Sequence, residues 1–462
     1  MDTLLGTLHG RKRYRVLQAQ TTEKLIAIPL VEWPFWLAFG FWSLWPESRT
    51  PVFEFEAIPF SSREMVLIAL SLYYFGSALA KRVLTRQTSA SHQKAAVALL
   101  KPWHFYLPLA TAGLVLYAAV SLATSGLDER NRLAMGYTLL LVGCACLLAY
   151  GLVANLSSAA LRVFLWRLAV AIAAVGLLYT AVTFFSVGIG GIRSQANSIA
   201  GEVGVGRATG PLFGASTGYF ILLPALAYAI QQLFLDKSLF KGVVVFSLLL
   251  TLMSLGSRGS IICISIFFIF AFFSIKNKKQ AAIAALLTLL LMVPAAGLVS
   301  SQAGRVTDRF QSFEASARTE SYTTSLAIVE NRNAEMNLLG SGYGSIWAWY
   351  LPLHDRDSDL IWTPFGYLLF QPHSTFLLLW VELGLIGGGY FLMLWAILLL
   401  SMTENFKQAL YPLFNCGIAA SGFAMFFDTF LIMGAVLSTV WWIFLFGSLS
   451  INAQKPIRPH SP

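Results

Sequence analysis

Apolar runs of membrane-spanning length alternate with polar breaks along almost the whole chain. They fall at 25–45, 64–80, 102–124, 134–155, 168–186, 211–230, 242–255, 261–275, 281–299, 374–400, 409–427 and 429–449. A hydrocarbon core needs about 20 apolar residues of helix to cross it, and a helix satisfies its own backbone hydrogen bonds in lipid. The pattern therefore predicts an all-α polytopic membrane protein with about twelve transmembrane helices. Two pairs of spans are split only by a short polar break, GSRGS after 242–255 and Asp428 after 409–427. The expected organisation is a basic N-terminus at 1–24, nine helices within 25–299, one large loop at 300–373, three helices within 374–449 and a tail at 450–462.

Composition agrees with the pattern. Apolar residues make up 57% of the 462 and charged residues 12%, about half the charged share of a soluble domain. Cys144, Cys146, Cys263 and Cys416 all lie inside apolar runs and imply neither a disulfide framework nor a metal spacing. The N-terminus lacks the layout of a cleaved secretory signal, so the first span is expected to stay as an anchor.

Charge supplies the orientation. Twelve spans put both termini on one side, which then holds 20 of the 32 basic residues, including Arg11, Lys12, Arg13, Lys81, Arg82, Lys276, Lys278 and Lys279. The positive-inside rule makes that side cytoplasmic, and its net charge suits anionic lipid headgroups rather than nucleic acid. Every basic residue on the opposite face is an arginine, at 49, 63, 130, 132, 193, 207, 258, 305, 309, 318, 332 and 356. A guanidinium offers a planar fork that matches phosphate oxygens and keeps its charge when partly buried. Some of these arginines are expected to grip phosphate, and most to be ordinary loop residues.

Two outer segments are long, 187–210 and about 300–373. In the second, Arg318-Thr319-Glu320 can begin a helix carrying Tyr322, Leu326 and Val329 at helical spacing. Gly340, Gly342 and Gly344 would end the helical region in a flexible turn. The aromatics Trp347, Trp349, Tyr350, Trp362, Phe365 and Tyr367 fit an interfacial belt or a sugar-stacking surface. Asp355, Asp357 and Asp359 lack the glycine and distal glutamate of a calcium loop and read as a solvated run. Motifs for nucleotide hydrolysis, zinc proteolysis and α/β-hydrolase chemistry are absent.

Ionisable groups in or beside the apolar runs are candidates for function because burying them is costly. Glu32, before Trp33-Pro34, reads as structural. Arg258, in SLGSRGS, sits where two short spans meet. Glu382 is expected to pair with an arginine or to border a polar cavity. His373 lies between the large loop and the next apolar helix, where an imidazole with a pKa near neutrality can accept a proton.

The segments GRATGPLFGASTGYFILLP (206–224), LGSRGSIICI (255–264), LLGSGYGS (338–345) and PHSTFLLLWVELGLIGG (372–388) together resemble the O-antigen ligase-like family, which includes O-antigen ligases and Wzy-type polysaccharide polymerases. The elements are an R-x-x-G before a span, an S-R-G between spans, a GxGxG turn, and a histidine followed by a helix reading E-x-G-x-x-G. Ser374 stands where the family has asparagine.

The resemblance implies a GT-C-like bundle in the bacterial inner membrane with its site on the periplasmic face. It implies transfer of a glycan from an undecaprenyl-diphosphate donor to an acceptor hydroxyl, with neither metal nor cofactor. The family's functional residues would fall on His373, Arg207 and Arg258 as catalytic groups. Arg318 and, more loosely, Arg193 would contact diphosphate, together with Ser374 and Glu382. The acceptor is another lipid-linked glycan if the protein is a repeat-unit polymerase, the reading favoured by long aromatic outer loops. It is lipid A-core or a protein hydroxyl if the protein is a ligase. A flippase for the same lipid-linked sugar is the reading from a different class. Internal repeats would be expected of it, and none of 20–50 residues is visible.

Overall fold

One helix, running from Tyr219 to Leu235, is buried on every side from Tyr219 through Gln231. A helix apolar all round belongs at the centre of a bundle, and this one sits there. The structure is a computed structural model. It describes residues 28–45, 53–55, 58–88, 103–125, 129–185, 210–213, 217–255, 257–274, 317–345, 361–362, 368–369, 374–406, 411–426, 429, 431 and 434–452.

In chain order the described helices are α1 (Trp33–Leu44), α2 (Ser62–Thr88), α3 (Trp103–Ala123), α4 (Glu129–Asn155), α5 (Ser158–Phe185), α6 (Tyr219–Leu235), α7 (Leu239–Ser254), α8 (Arg258–Ser274), α9 (Ala317–Glu330), α10 (Ala334–Leu339), α11 (Thr375–Phe406), α12 (Pro412–Phe423) and α13 (Ala435–Asn452). Two short antiparallel hairpins accompany them, β1 (Phe53–Phe55) with β2 (Ile58–Phe60), and β3 (Ile361–Trp362) with β4 (Leu368–Leu369). Around α6 pack α5, α7, α12 and α13, while α2, α3 and α13 surround α4.

Four stretches are long and apolar enough to cross a membrane by length and composition: Ser62–Leu84, Met135–Asn155, Ser158–Val182 and Thr375–Leu399. Shorter apolar helices, among them Leu107–Ala123, Tyr219–Leu235 and Leu239–Ser254, pack with them. This is a helical membrane protein. The expected span 281–299 lies outside the described residues.

Several boundaries differ from the hydropathy reading, each for a local reason. The first span begins with a 3-10 turn, Leu30–Glu32, and α1 proper starts at Trp33 with Pro34 in its first turn, a position where the missing N–H costs nothing. Helix α5 starts about ten residues before its apolar run, and Arg167, one of the two arginines in that added stretch, is neutralised within the bundle. Arg167 Nη1 donates to Glu32 Oε2 at 3.0 Å, and Trp36 Nε1 donates to the same oxygen at 3.0 Å. Glu32 is therefore structural, as expected. Helix α6 starts at Tyr219 rather than 211, because residues 210–213 form a docked non-helical segment.

Between apolar helices in lipid there is little hydrophobic driving force, so close packing and hydrogen bonds hold the bundle. Trp441 and Trp442 are fully buried, and Trp441 Nε1 donates to Ser421 Oγ at 2.9 Å, joining α13 to α12. The first turn of α12 leaves amides without helical acceptors, and Gln231 Oε1 of α6 accepts from Leu413 N at 3.1 Å.

Candidate active site

Helix α11 is broken. Gly384, at φ 62° and ψ −152°, interrupts it after 383 and leaves a half-helix, 375–383, ahead of a longer continuation. In a regular helix the carbonyls of Trp380, Val381 and Glu382 would accept from amides four residues on. Here residues 332–342, ahead of α11 in the chain, supply donors to all three. Arg332 Nη1 donates to Trp380 O at 3.2 Å, and Arg332 Nη2 donates to Val381 O. Ser341 N and Ser341 Oγ reach Val381 O at 3.2 and 3.0 Å, and Gly342 N reaches Glu382 O at 3.0 Å. The glycine turn is thus the plug of a broken helix.

Only glycine fits at the centre of this joint. Gly340 has φ 83° and ψ −177°, and both it and Gly384 lie in backbone regions that side chains exclude. A Cβ on Gly340 would stand 2.2 Å from Glu382 O, and one on Gly384 would stand 2.4 Å from Leu338 O. The expectation of a flexible turn is corrected: Gly342, Tyr343 and Gly344 are buried, and the turn is held on its other side too. Tyr117 OH donates to Leu339 O at 2.8 Å, and Tyr343 N donates to Ser121 Oγ at 3.2 Å. Tyr343 points into the bundle, lining a small cavity with Thr111, Tyr390 and Trp442.

In the sequence Arg332 is one loop arginine among twelve. Its side chain is buried. Burial lowers its pKa to about 10, and the charge of Glu382 works in the opposite direction. It stays a cation at neutral pH. Its printed bonds go to the main-chain carbonyls of the two residues before Glu382, Trp380 and Val381. Helix α9 forms as expected, but its inward face is Ser325 and Ile328. Leu326 points outward, 42% exposed. The inward stripe extends at helical spacing to Arg332.

At the start of the half-helix, Ser374 is the N-cap. Its Oγ accepts from Leu377 N at 3.2 Å, and its carbonyl accepts from Leu378 N at 3.0 Å. Serine and asparagine are both favoured caps, so the departure from the family pattern keeps this local chemistry. Ser374→Ala should lower stability by about 1 kcal/mol, whereas Ser374→Asn should leave it within a few tenths. Thermal unfolding in detergent reads the difference.

The residues after the R-x-x-G are clamped. Arg63 Nη2 donates to Pro211 O at 2.6 Å and to Trp42 O at 3.1 Å, and Leu212 N donates to Tyr179 OH at 2.9 Å. Arg63 is a second buried arginine that sequence alone does not distinguish. The S-R-G element joins α7 to α8. A Cβ on Gly259 would lie 2.9 Å from Tyr219 OH, so the first turns of α6 and α8 meet closely.

Of the expected site residues, Ser374 and Glu382 are described and buried, at opposite ends of the half-helix. Arg258 opens α8 and Arg318 lies in the first turn of α9, and both helices pack on α11. The side chains of these two arginines lie outside the described residues, as do Arg193, Arg207 and His373 altogether. The sequence places His373 directly before the Ser374 cap. Among the described residues no three His, Cys, Asp or Glu side chains cluster, and Asp355, Asp357 and Asp359 lie outside them.

No curated protein and no solved structure matches the chain. The R-x-x-G element lies ahead of the stretch that matches a family model. Residues 243–392 match the O-antigen ligase family model, so the part of the chain that holds the S-R-G, the glycine turn and the broken helix is similar to that family, and the match supports membrane glycosyl transfer of the ligase or polymerase type.

Proposed function

We propose that the protein transfers a glycan from a polyprenyl-diphosphate donor, of the undecaprenyl type, to an acceptor sugar hydroxyl at the periplasmic face of the bacterial inner membrane. The observation that carries this reading is the half-helix 375–383, capped by Ser374 and fixed at its far end by the glycine turn. A helix N-terminus favours anions through its oriented amides, and His373 immediately precedes this one. Helix α8, which begins with Arg258, and helix α9, which holds Arg318 in its first turn, pack on the same α11.

In the proposed reaction, the acceptor hydroxyl attacks the anomeric carbon opposite the diphosphate. A C–O bond forms to the acceptor as the donor's C–O bond breaks, which inverts the anomeric centre. The bond electrons leave with polyprenyl diphosphate, and the hydroxyl proton passes to the His373 imidazole. Arg207 and Arg258 stabilise the charge growing on the leaving phosphate oxygens, which fixed donors do best because they need no reorganisation during the reaction. Arg318 and Arg193 hold the donor diphosphate. Ser374 and Glu382 act on the site through the two ends of the half-helix. The chemistry asks for no cofactor, and guanidiniums take the part a metal would play.

Repeat-unit polymerisation is the favoured product, with transfer to lipid A-core or protein as the ligase alternative. Purified protein given lipid-linked glycan alone should yield a ladder of extended lipid-linked products, undiminished by chelator. A single addition that occurs only when lipid A-core is supplied would make it a ligase. No transfer to either acceptor would overturn the reading, and loss on chelation would overturn its metal-free part.

A further inference from the structure

One buried arginine bonds to the end of the half-helix just before the break in α11. Arg332 follows α9 by two residues, precedes the N-cap of α10, and caps the half-helix with both terminal nitrogens. The backbone of the glycine turn already donates to Val381 and Glu382, so the guanidinium is not needed merely to attach the loop. Its distinctive contribution is charge. The C-terminal end of a helix carries partial negative charge, and the last turn of this one adds the carboxyl group of Glu382, 1% exposed. Negative charge buried at that end of a helix is opposed twice, by the dipole and by desolvation. A cation bonded to the Trp380 and Val381 carbonyls offsets both. The same residue also ends the strut, α9, whose first turn holds Arg318.

We propose that Arg332 is a positioning residue for the transfer reaction: it ties the end of α9, the helix that opens at Ala317-Arg318, to the half-helix 375–383, whose cap Ser374 directly follows His373 in the sequence. The inference rests on the glycosyl-transfer reading for its kinetic part. Its structural part stands on the bonds at the break. Misplacing a catalytic group by about 1 Å can cost a hundredfold in rate while donor binding survives, so the effect should appear in kcat.

The test uses the full-length protein in lipid nanodiscs with Arg332→Met and Arg332→Lys. In the Met variant kcat per folded protein should fall about tenfold to a hundredfold, with donor KM within about twofold of wild type. The Lys variant should recover part of the loss, because it restores the cation but not the fork. Amide exchange across 375–383 should speed up in the Met variant and less in the Lys variant. Folded Met variant with wild-type kcat, or Lys no better than Met at equal thermal stability, would overturn the inference. If the Met variant does not fold, wild-type kcat and wild-type exchange in the Lys variant would overturn it, because a point charge cannot fill the fork. If wild type itself transfers no glycan, the reaction is wrong, and exchange across 375–383 decides the inference alone: no change in the Met variant would overturn it.

Discussion

Replacing Arg258 or Arg207 by alanine is expected to slow glycan transfer by about 10²–10³-fold, and His373→Ala by about 10²–10⁴-fold. The diphosphate is already anionic when the donor binds, and it gains further negative charge only as the anomeric bond breaks. An arginine aimed at those oxygens therefore contributes most in the transition state, and its loss should fall mainly on kcat. Lysine at either position should restore only part of the rate, since it offers a point charge in place of a bidentate fork. Arg318→Ala and Arg193→Ala, assigned to donor binding, should raise donor KM more than they lower kcat. Steady-state kinetics of the purified variants, with donor binding measured separately, checks the split. Wild-type kcat in Arg207→Ala, Arg258→Ala and His373→Ala together would remove the site assignment.

The second large effect concerns the joint. Gly384→Ala and Gly340→Ala should each cost more than about 3 kcal/mol, combining backbone strain of about 1–3 kcal/mol with displacement of the opposing backbone. The new Cβ atoms would stand within 2.5 Å of main-chain atoms, which lack the freedom of a flexible side-chain end. The turn and the broken helix would separate, releasing the three carbonyls and the far end of the half-helix together. Both variants should unfold at lower temperature and lose transfer. Gly389→Ala is the control in the same helix, since its Cβ would meet nothing within 4 Å; alanine there should be neutral or slightly stabilising. Equal stability of all three variants would contradict the geometry of the break.

Much of this was legible in the chain. The helical membrane class followed from run length and low charge, and helix α9 from the spacing after Arg318. Glu32 was read as structural and has its partner in Arg167. What escaped was tertiary. The run 374–400 is long enough for one unbroken span, and glycines are ordinary in transmembrane helices, so nothing local marked Gly384 as the break. Arg332 sits in an Asn-Arg-Asn sequence that looks like a solvated turn. Its position just past α9 suggests a cap for that helix, yet the carbonyls it caps lie 48 and 49 residues further along the chain. Arg63 escaped in the same way, since its acceptors, Trp42 O and Pro211 O, are main-chain atoms distant in sequence. The GxGxG turn was visible as a motif, but its function as a hydrogen-bonding plug depends on a partner that the motif does not encode.

The central claim is that this fold breaks a glycan–diphosphate bond instead of carrying the intact lipid across the bilayer. The most direct measurement places the purified protein in sealed liposomes with labelled polyprenyl-diphosphate glycan, and follows both the release of free polyprenyl diphosphate and the sidedness of the intact donor. The expected result is one polyprenyl diphosphate released per glycan transferred, with inverted anomeric configuration in the product. Movement of intact donor between leaflets, with no polyprenyl diphosphate released, would contradict it.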